Sequence, residues 1–179
     1  FIAWTITAHE CRPGHELQFA GMLERGVSTA RIAYAFNSAN IEGWALYAEA
    51  VMKQYLPIEG QIGALQMRML RAARAYLDPM LNLGLIEPDA ANRVLTGEVM
   101  LSEAFAKTEI DRYTFDSPGQ ATSYFYAYSR LEALRTQEEI ALGNQLREQP
   151  YHDFIIGEGL LPLDMLDQAG LARFVPSQN

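Results

Sequence analysis

The sequence predicts an all-α fold, and three observations carry that prediction. Good helix formers (Ala, Leu, Glu, Arg, Gln and Met) dominate the chain. Alternating β-branched segments bounded by Asn-Gly or Asp-Gly turns are nearly absent. Hydrophobic residues make up 49% of the 179 residues and charged residues 20%, proportions that suit a packed core and argue against disorder. We therefore expect one multi-helix domain over residues 1–179.

The helices predicted in the first third of the chain are separated by prolines and glycines. Pro13 and Gly14 interrupt the first apolar run, because proline lacks the N–H that a helix interior needs and glycine loosens the next turn. Gly26 stops the second segment, and Pro57 follows the third. The predicted helices are Ile2–Arg12, His15–Leu23 and Ala39–Tyr55.

The remaining helices are predicted from similar start and stop residues. Pro79 should kink a long helix that Gly84 ends, and Pro88 suits the first position of the next one. Ser117 is expected to cap a helix, with Gln120 reaching back to it. The predicted segments are Gln61–Leu83, Pro88–Leu95, Glu98–Arg112, a helix from Ser117 to Leu142, and Pro162–Gln168.

The charge balance excludes some functions. Fourteen Lys and Arg stand against 22 Asp and Glu, so the net charge is −8, and such a surface repels the phosphates of nucleic acids. No apolar stretch approaches the roughly 18–20 residues that cross a bilayer. The single cysteine, Cys11, cannot form an internal disulfide and is expected to be a buried, inert thiol. Because the chain starts without Met and directly in a helical pattern, we expect it to be the C-terminal portion of a longer polypeptide.

Two of the three histidines lie close together, in His9-Glu10-Cys11-Arg12-Pro13-Gly14-His15. In the zinc-peptidase pattern H-E-x-x-H, two histidines on one helix face hold zinc and the glutamate activates the attacking water. Here the spacing is six residues, which on a straight helix turns the second imidazole by about 240°. A break at Pro13-Gly14 could swing His15 back beside His9. The alternative is that both are ordinary polar histidines at a helix break.

A third metal ligand is predicted from a later helix. Glu42 and Glu49 are seven residues apart and share a face, so Glu42 could bind the metal while Glu49 orients a ligating histidine. The alternative is a solvated acidic stripe. Trp44 and Tyr47 beside them favour burial, and buried carboxylates need partners.

Polar residues further along the chain are candidates for other roles. Tyr124 and Tyr128 are neighbours on one helix face, where their hydroxyls could donate to an oxyanion, although an aromatic stripe is more often core. His152 is a further candidate donor. Arg135 could bind a substrate carboxylate or, more commonly, a structural one.

Five motifs together resemble a bacterial family. The chain is similar, over about residues 1–166, to domain-of-unknown-function family 885, whose members are often described as lipoproteins and which is similar to the gluzincin metallopeptidases. The motifs are His9-Glu10-x-x-Pro13-Gly14-His15-x-x-Gln18, Glu42-Gly43-Trp44-Ala45-Leu46-Tyr47-Ala48-Glu49, Pro118-Gly119-Gln120-Ala121-x-x-Tyr124, Arg135, and Tyr151-His152-Asp153-Phe154 followed by Gly159-x-x-Pro162-Leu163.

The resemblance implies a zincin-like, metallopeptidase-like helical domain. It implies His9, His15 and Glu42 as ligands of Zn²⁺, Glu10 as general base, a peptide substrate, a cell-envelope location and an upstream helical half that this chain lacks. We expect the chain alone to be inactive and able to dimerise through surface that the missing half would cover. The competing hypothesis is a non-catalytic binding or scaffold module with a structural His/Glu network.

Overall fold

The computed structural model describes residues 1–178, and this part of the chain is entirely helical and turn-like, without a strand. The all-α prediction is therefore confirmed. The helices are α1 Ile2–Glu10, α2 His15–Glu24, α3 Thr29–Tyr34, α4 Ser38–Lys53, α5 Ile58–Asn82, α6 Pro88–Gly97, α7 Glu103–Asp111, α8 Thr122–Leu142, α9 Glu148–Gly157, α10 Leu163–Ala169 and α11 Val175–Ser177. Wider π turns cover Arg112–Asp116 and Gly170–Phe174, and a 3₁₀ turn covers Gly143–Gln145.

Helices α4 and α8 form the centre of the molecule and run in the same direction. Ser38 contacts Ser123 near their beginnings, and Gly43 lies against Ala127 one turn later. A Cβ on Gly43 would lie 2.5 Å from the Ala127 Cβ, so the absence of a side chain lets the two helices touch. Helix α1 packs across α4 and α5. The carboxylates of α4 therefore face the histidines of α1 and α2.

Two hydrophobic clusters flank this central pair. The first joins α2, α4, α8, α9 and α10 around Trp44, Leu134 and Tyr151. The second joins α5, α6 and α7 around Leu70 and Leu95. The metal-ligand candidates thus lie on elements fixed from both sides. Within residues 1–178, no helix is long and apolar enough to span a bilayer.

Several predicted boundaries are wrong, each for a local reason. Helix α7 begins at Glu103 and not at Glu98, because Met100 takes a positive φ of 62° and the Ser102 hydroxyl accepts from the Phe105 N–H. Helix α8 begins at Thr122, so Ser117 is not its cap. Asp78 of α5 instead binds the turn that precedes the helix.

Asp78 anchors the turn that leads into α8. Its side chain is fully buried and accepts from the backbone N–H groups of Gly119 and Ala121, at 2.8 and 2.9 Å. The Asn82 amide also donates to it. Because buried carboxylates require such donors, this arrangement fixes the position of Gln120, which lies between the two bonded residues.

Candidate metal centre

The chain folds back on itself at Pro13-Gly14, between α1 and α2. A Cβ at Gly14 would lie 1.8 Å from the His9 carbonyl oxygen, so only glycine allows this approach. The Arg12–Pro13 peptide bond is cis. The Trp44 indole N–H donates to the carbonyl oxygens of Pro13 and Gly14, at 3.0 and 3.3 Å, and so ties the turn to α4.

This fold-back brings the two histidines side by side. The ring centroids of His9 and His15 are 4.7 Å apart and the rings are nearly perpendicular. His9 is buried at the end of α1, whereas His15 is partly exposed at the start of α2. The six-residue spacing is thus compensated by the turn. Cys11, in the same turn, is exposed, so the prediction of a buried thiol is wrong.

The Nδ1 atom of His9 is held by Glu49 of α4. The Glu49 Oε1 lies 2.7 Å from that nitrogen and 2.9 Å from the Arg71 Nη2, and the Thr5 hydroxyl donates to its Oε2 at 3.0 Å. Both Glu49 and Arg71 are almost completely buried. The contact leaves the Nε2 atom of His9 to face Glu42.

Glu42 completes a cluster of three ligand atoms. Its Oε2 lies 3.4 Å from the His9 Nε2 and 3.5 Å from the His15 Nε2. One potential ligand atom from each residue lies within 4.8 Å of the others. Within residues 1–178 this is the group of acidic, His and Cys side chains that could hold a metal ion.

The donor set fits a zinc ion on two grounds. One tetrahedral ion bound at about 2.0–2.1 Å to each ligand atom would hold those atoms about 3.3–3.4 Å apart, close to the measured separations. In addition, Glu42 Oε2, the oxygen that faces both imidazoles, is buried without a hydrogen-bond partner in the described chain. A purely structural network would satisfy such atoms, because an unpaired buried polar group costs about 1–3 kcal/mol.

The electrostatics of the cluster favour a charged carboxylate. Burial alone would raise the pKa of Glu42, but contacts with His15, His9 and Tyr124 hold that pKa well below its usual range. Burial alone would lower the pKa of His9, but Glu42 and Glu49 outweigh it and raise this pKa above its ordinary value. An anionic Glu42 between two imidazoles is the form that binds a divalent cation.

Tyr124 is the aromatic candidate that lies beside the cluster. Its ring is stacked against His9 with centroids 6.2 Å apart, and its hydroxyl accepts from Arg112 at 3.1 Å. Arg112 also donates to the Gln120 Oε1, and the Gln120 Nε2 lies 3.5 Å from the Glu42 Oε1. The turn anchored by Asp78 thus supports one side of the candidate site.

Glu10 follows His9 directly at the end of α1. Its side chain is exposed, and within residues 1–178 no hydrogen bond or ion pair restrains it. Of the residues predicted to be catalytic, Glu10 is the one that adjoins a ligand candidate in the chain and is open to solvent. Its role as general base stays a prediction.

Tyr128, His152 and Arg135 lie together elsewhere, around a cavity beyond the C-terminal half of α4. The His152 Nε2 lies 2.9 Å from the Tyr47 hydroxyl, and Arg135 donates to the same hydroxyl at 2.5 Å. Arg135 also forms ion pairs with Glu139 and Glu148. The structure therefore surrounds Arg135 with structural carboxylates and separates these three residues from the metal-ligand candidates.

Sequence reasoning missed Arg71, Thr5 and Arg112, which support the ligand candidates. A usable signal existed for Arg71, because Arg68, Arg71 and Arg74 recur every three residues along α5, among mainly apolar neighbours. Basic residues buried in this way demand acidic partners on neighbouring helices. Thr5 and Arg112 carry no comparable signal, since their partners come from distant elements.

Comparison with known families gives the chain its classification. The model of a family described as "Bacterial protein of unknown function (DUF885)" matches residues 1–169, almost the entire chain. The chain belongs to the DUF885 family. No curated protein matches it. The predicted resemblance to family 885 is thereby confirmed, while its relation to gluzincins stays a prediction.

Two solved structures have the same fold. "The putative lipoprotein from Colwellia psychrerythraea" is 29% identical, with a TM-score of 0.88, and the match covers 97% of this DUF885 chain and 30% of that protein. "A putative lipoprotein of unknown function from Shewanella oneidensis" is 23% identical, with a TM-score of 0.85 over 93% of this chain and 31% of the other. This chain thus spans less than a third of the matched structures' length.

Proposed function

We propose that this chain carries the metal-binding part of a zinc-dependent peptidase. The observation that supports it best is the convergence of His9, His15 and Glu42. Glu42 Oε2 lies 3.4 and 3.5 Å from the two imidazole nitrogens and has no hydrogen-bond partner within residues 1–178. Two imidazoles and a carboxylate favour Zn²⁺ among common metals. When bound, the ion would polarise a scissile carbonyl.

The protein's own side chains supply the other steps of this proposal. Glu10 accepts a proton from the attacking water and passes it to the leaving amine. Tyr124, beside His9, donates to the developing oxyanion. Glu49 fixes the orientation of His9 through Nδ1. A peptide is the substrate, and the cell envelope is the location that the printed descriptions of the two solved structures favour.

The test measures metal and hydrolysis separately in the full-length protein. We expect about one zinc per chain and cleavage of a peptide library. Glu10→Gln should abolish cleavage, by a factor of about 100 or more, because it removes general base catalysis while leaving the ligands intact. Glu16→Gln is the matched control, since Glu16 is an exposed carboxylate near the same turn that pairs with Arg12.

Two results would contradict the proposal. A full-length protein that binds no divalent metal under any loading condition would exclude the metal site. Cleavage retained in Glu10→Gln, with zinc content unchanged, would remove Glu10 from its role. The matched control should keep both zinc and activity.

A further inference from the structure

Three arginines on one face of α5 differ in their partners. Arg74 donates two hydrogen bonds to Glu109, at 2.7 and 2.6 Å, and Arg71 donates to Glu49 at 2.9 Å. Arg68, one turn earlier on the same face, forms no ion pair with any carboxylate of residues 1–178. Arg71 and Arg74 are thus paired with carboxylates of the described chain, and Arg68 is not.

Arg68 is nevertheless held in a defined position. Its guanidinium lies over the Tyr128 ring, 5.0 Å from the centroid. Its Nε atom is buried and has no hydrogen-bond partner in the described chain. An unpaired donor on a charged group is costly, and because the Nε atom is enclosed, an acceptor from outside this part of the protein would reach the terminal nitrogens of the guanidinium. The Tyr128 ring, stacked on the guanidinium, fixes the orientation of the planar N–H groups to which that acceptor would bind.

Arg68 faces a cavity of about 540 Å³ at the C-terminal half of α4. That volume is in the range of small-molecule sites. Lys53 lines the same cavity and also forms no ion pair within residues 1–178. The first residue of α4 that lines the cavity, Tyr47, follows Glu42 by five residues, which is about 7.5 Å of helical rise, and the cavity lining includes none of the three ligand candidates. The cavity is thus distinct from the metal-ligand cluster.

Of the two acidic residues of the cavity, one is paired with another arginine and the other acts on Arg68 through its charge without forming an ion pair with it. Glu148 is paired with Arg135, and that ion pair also engages the Tyr47 hydroxyl. Glu132 lines the cavity and forms no ion pair with any other described residue. Two cations, Arg68 and Lys53, therefore remain available in a chain whose net charge is −8.

We propose that this cavity binds a small organic carboxylate, held by the guanidinium of Arg68 and the ammonium of Lys53. The fork of an arginine matches a carboxylate in two parallel hydrogen bonds. The tyrosine and aliphatic walls, Tyr55, Tyr128 and Val51, accommodate the ligand's body. If the proposed peptidase function holds, the carboxylate is the free C-terminus of a short peptide. This identification of the ligand rests on that function.

The test compares N-acetyl-dialanine as free acid and as C-terminal amide, by calorimetric titration of the full-length protein in EDTA. EDTA removes metal, and the Glu10→Gln background prevents hydrolysis. The acid should bind at least about tenfold more tightly than the amide, since hydrogen bonds to charged groups are the stronger ones. Arg68→Gln should remove that preference, and Lys53→Gln should reduce it. Inorganic phosphate, as a separate arm, should bind more weakly than the acid.

Two further variants sharpen the result. Arg93→Gln makes the same charge change on an exposed residue outside the cavity and should leave the preference intact. Glu132→Gln should strengthen binding of the acid, because it removes a negative charge from the cavity. Arg68→Lys should keep part of the preference and serves if the glutamine variant does not fold.

The proposal is overturned if acid and amide bind equally, or if Arg68→Gln and Arg93→Gln behave alike. Equal binding would mean that the rest of the full-length chain supplies a carboxylate to Arg68. If the acid binds only when zinc is present, and the Arg68→Gln variant then binds it as tightly as the parent protein does, the carboxylate binds the metal and not Arg68. A protein that binds no zinc but keeps the Arg68-dependent preference would reject only the peptidase proposal.

Discussion

Glu49 holds three partners on two elements around the ligand candidates, two of them on α1 and one on α5. One oxygen lies against His9 Nδ1 of α1 and Arg71 of α5, and the other accepts from Thr5. Because Nδ1 is engaged, Nε2 is the nitrogen of His9 that faces Glu42. A carboxylate in this position fixes the ring orientation of a ligating histidine and raises its basicity.

Glu49→Gln tests that role. The amide cannot accept through its nitrogen and carries no charge, so we expect zinc affinity of the full-length protein to fall about 10–100-fold. Losing one partner of a buried ion pair should also cost about 3–5 kcal/mol of stability. Zinc affinity is measured by competition with a chromophoric chelator, and stability by thermal unfolding.

Glu109→Gln separates the two effects. Glu109 forms the equivalent buried pair with Arg74 and contacts no ligand candidate. Its loss should lower stability to a similar degree and leave zinc affinity unchanged. If both variants bind zinc like the parent protein, Glu49 has only a structural role.

At the scale of elements, the contact between α4 and α8 controls the position of Glu42. A Cβ built on Gly43 would lie 2.5 Å from the Ala127 Cβ and 3.0 Å from the Ala127 carbonyl carbon. Real Cβ atoms do not approach that closely, so any side chain at this position must push the helices apart. Glu42 is the preceding residue and would move with α4.

Gly43→Ala should therefore destabilise the protein, by about 1–3 kcal/mol, because overpacking a tight contact costs that much. Gly97→Ala is the matched control, since a Cβ there meets nothing within 4 Å. Alanine is also the better helix former, so the control should be neutral or stabilising by up to about 1 kcal/mol. Urea unfolding of both variants decides the matter, and equal stabilities would show that the two helices separate without cost.

The helices and their boundaries show what the sequence could and could not predict. The helix break at Pro13-Gly14 and the carboxylates of α4 were readable, because proline, glycine and a seven-residue spacing have local consequences. Helix α9 was missed because Pro150 looks like a terminator. Proline is tolerated in a first turn, where its N–H would have no partner, and Pro150 is the third residue of α9.

Other elements depend on contacts that the sequence does not reveal. Helix α3 has six residues and buries none of them, so it leaves no hydrophobic period to detect. The turn before α8 is held by Asp78, which is 41 residues earlier than Gly119. The convergence of His9, His15 and Glu42 was predictable, because it requires only the turn at Pro13-Gly14. The separation of Tyr128 from Tyr124, one turn apart on α8, depends on which helices surround each residue.

At the scale of the whole molecule, Glu138 makes the stability depend on pH. It is fully buried in α8, and neither carboxylate oxygen has a hydrogen-bond partner in residues 1–178. Its Oε1 lies 2.2 Å from where a Cβ on Gly170 would be, so the carboxyl is enclosed by the turn after α10. Burial, together with the charge of Asp167, raises the pKa of Glu138 to about 7.

The sign of the effect follows from proton binding. The unfolded chain holds this proton up to a pH near 4.5, and the folded protein up to about 7. Between those values the folded state binds more protons, so the free energy of unfolding falls as the pH rises. The contribution present below pH 4.5 is lost by pH 7 and amounts to at most about 3 kcal/mol.

Glu138→Gln should remove this dependence, because a neutral amide of the same shape never ionises. The variant should match the parent protein in thermal stability near pH 4.5 and exceed it by several degrees at pH 8. Glu24→Gln, which changes an exposed carboxylate of α2, should shift neither value. A Glu138→Gln protein that is less stable than the parent at pH 8 would mean that the ionised carboxylate has a partner in the remainder of the full-length chain. The buried charge would then join the rest of the protein to α8 and would not weaken the fold.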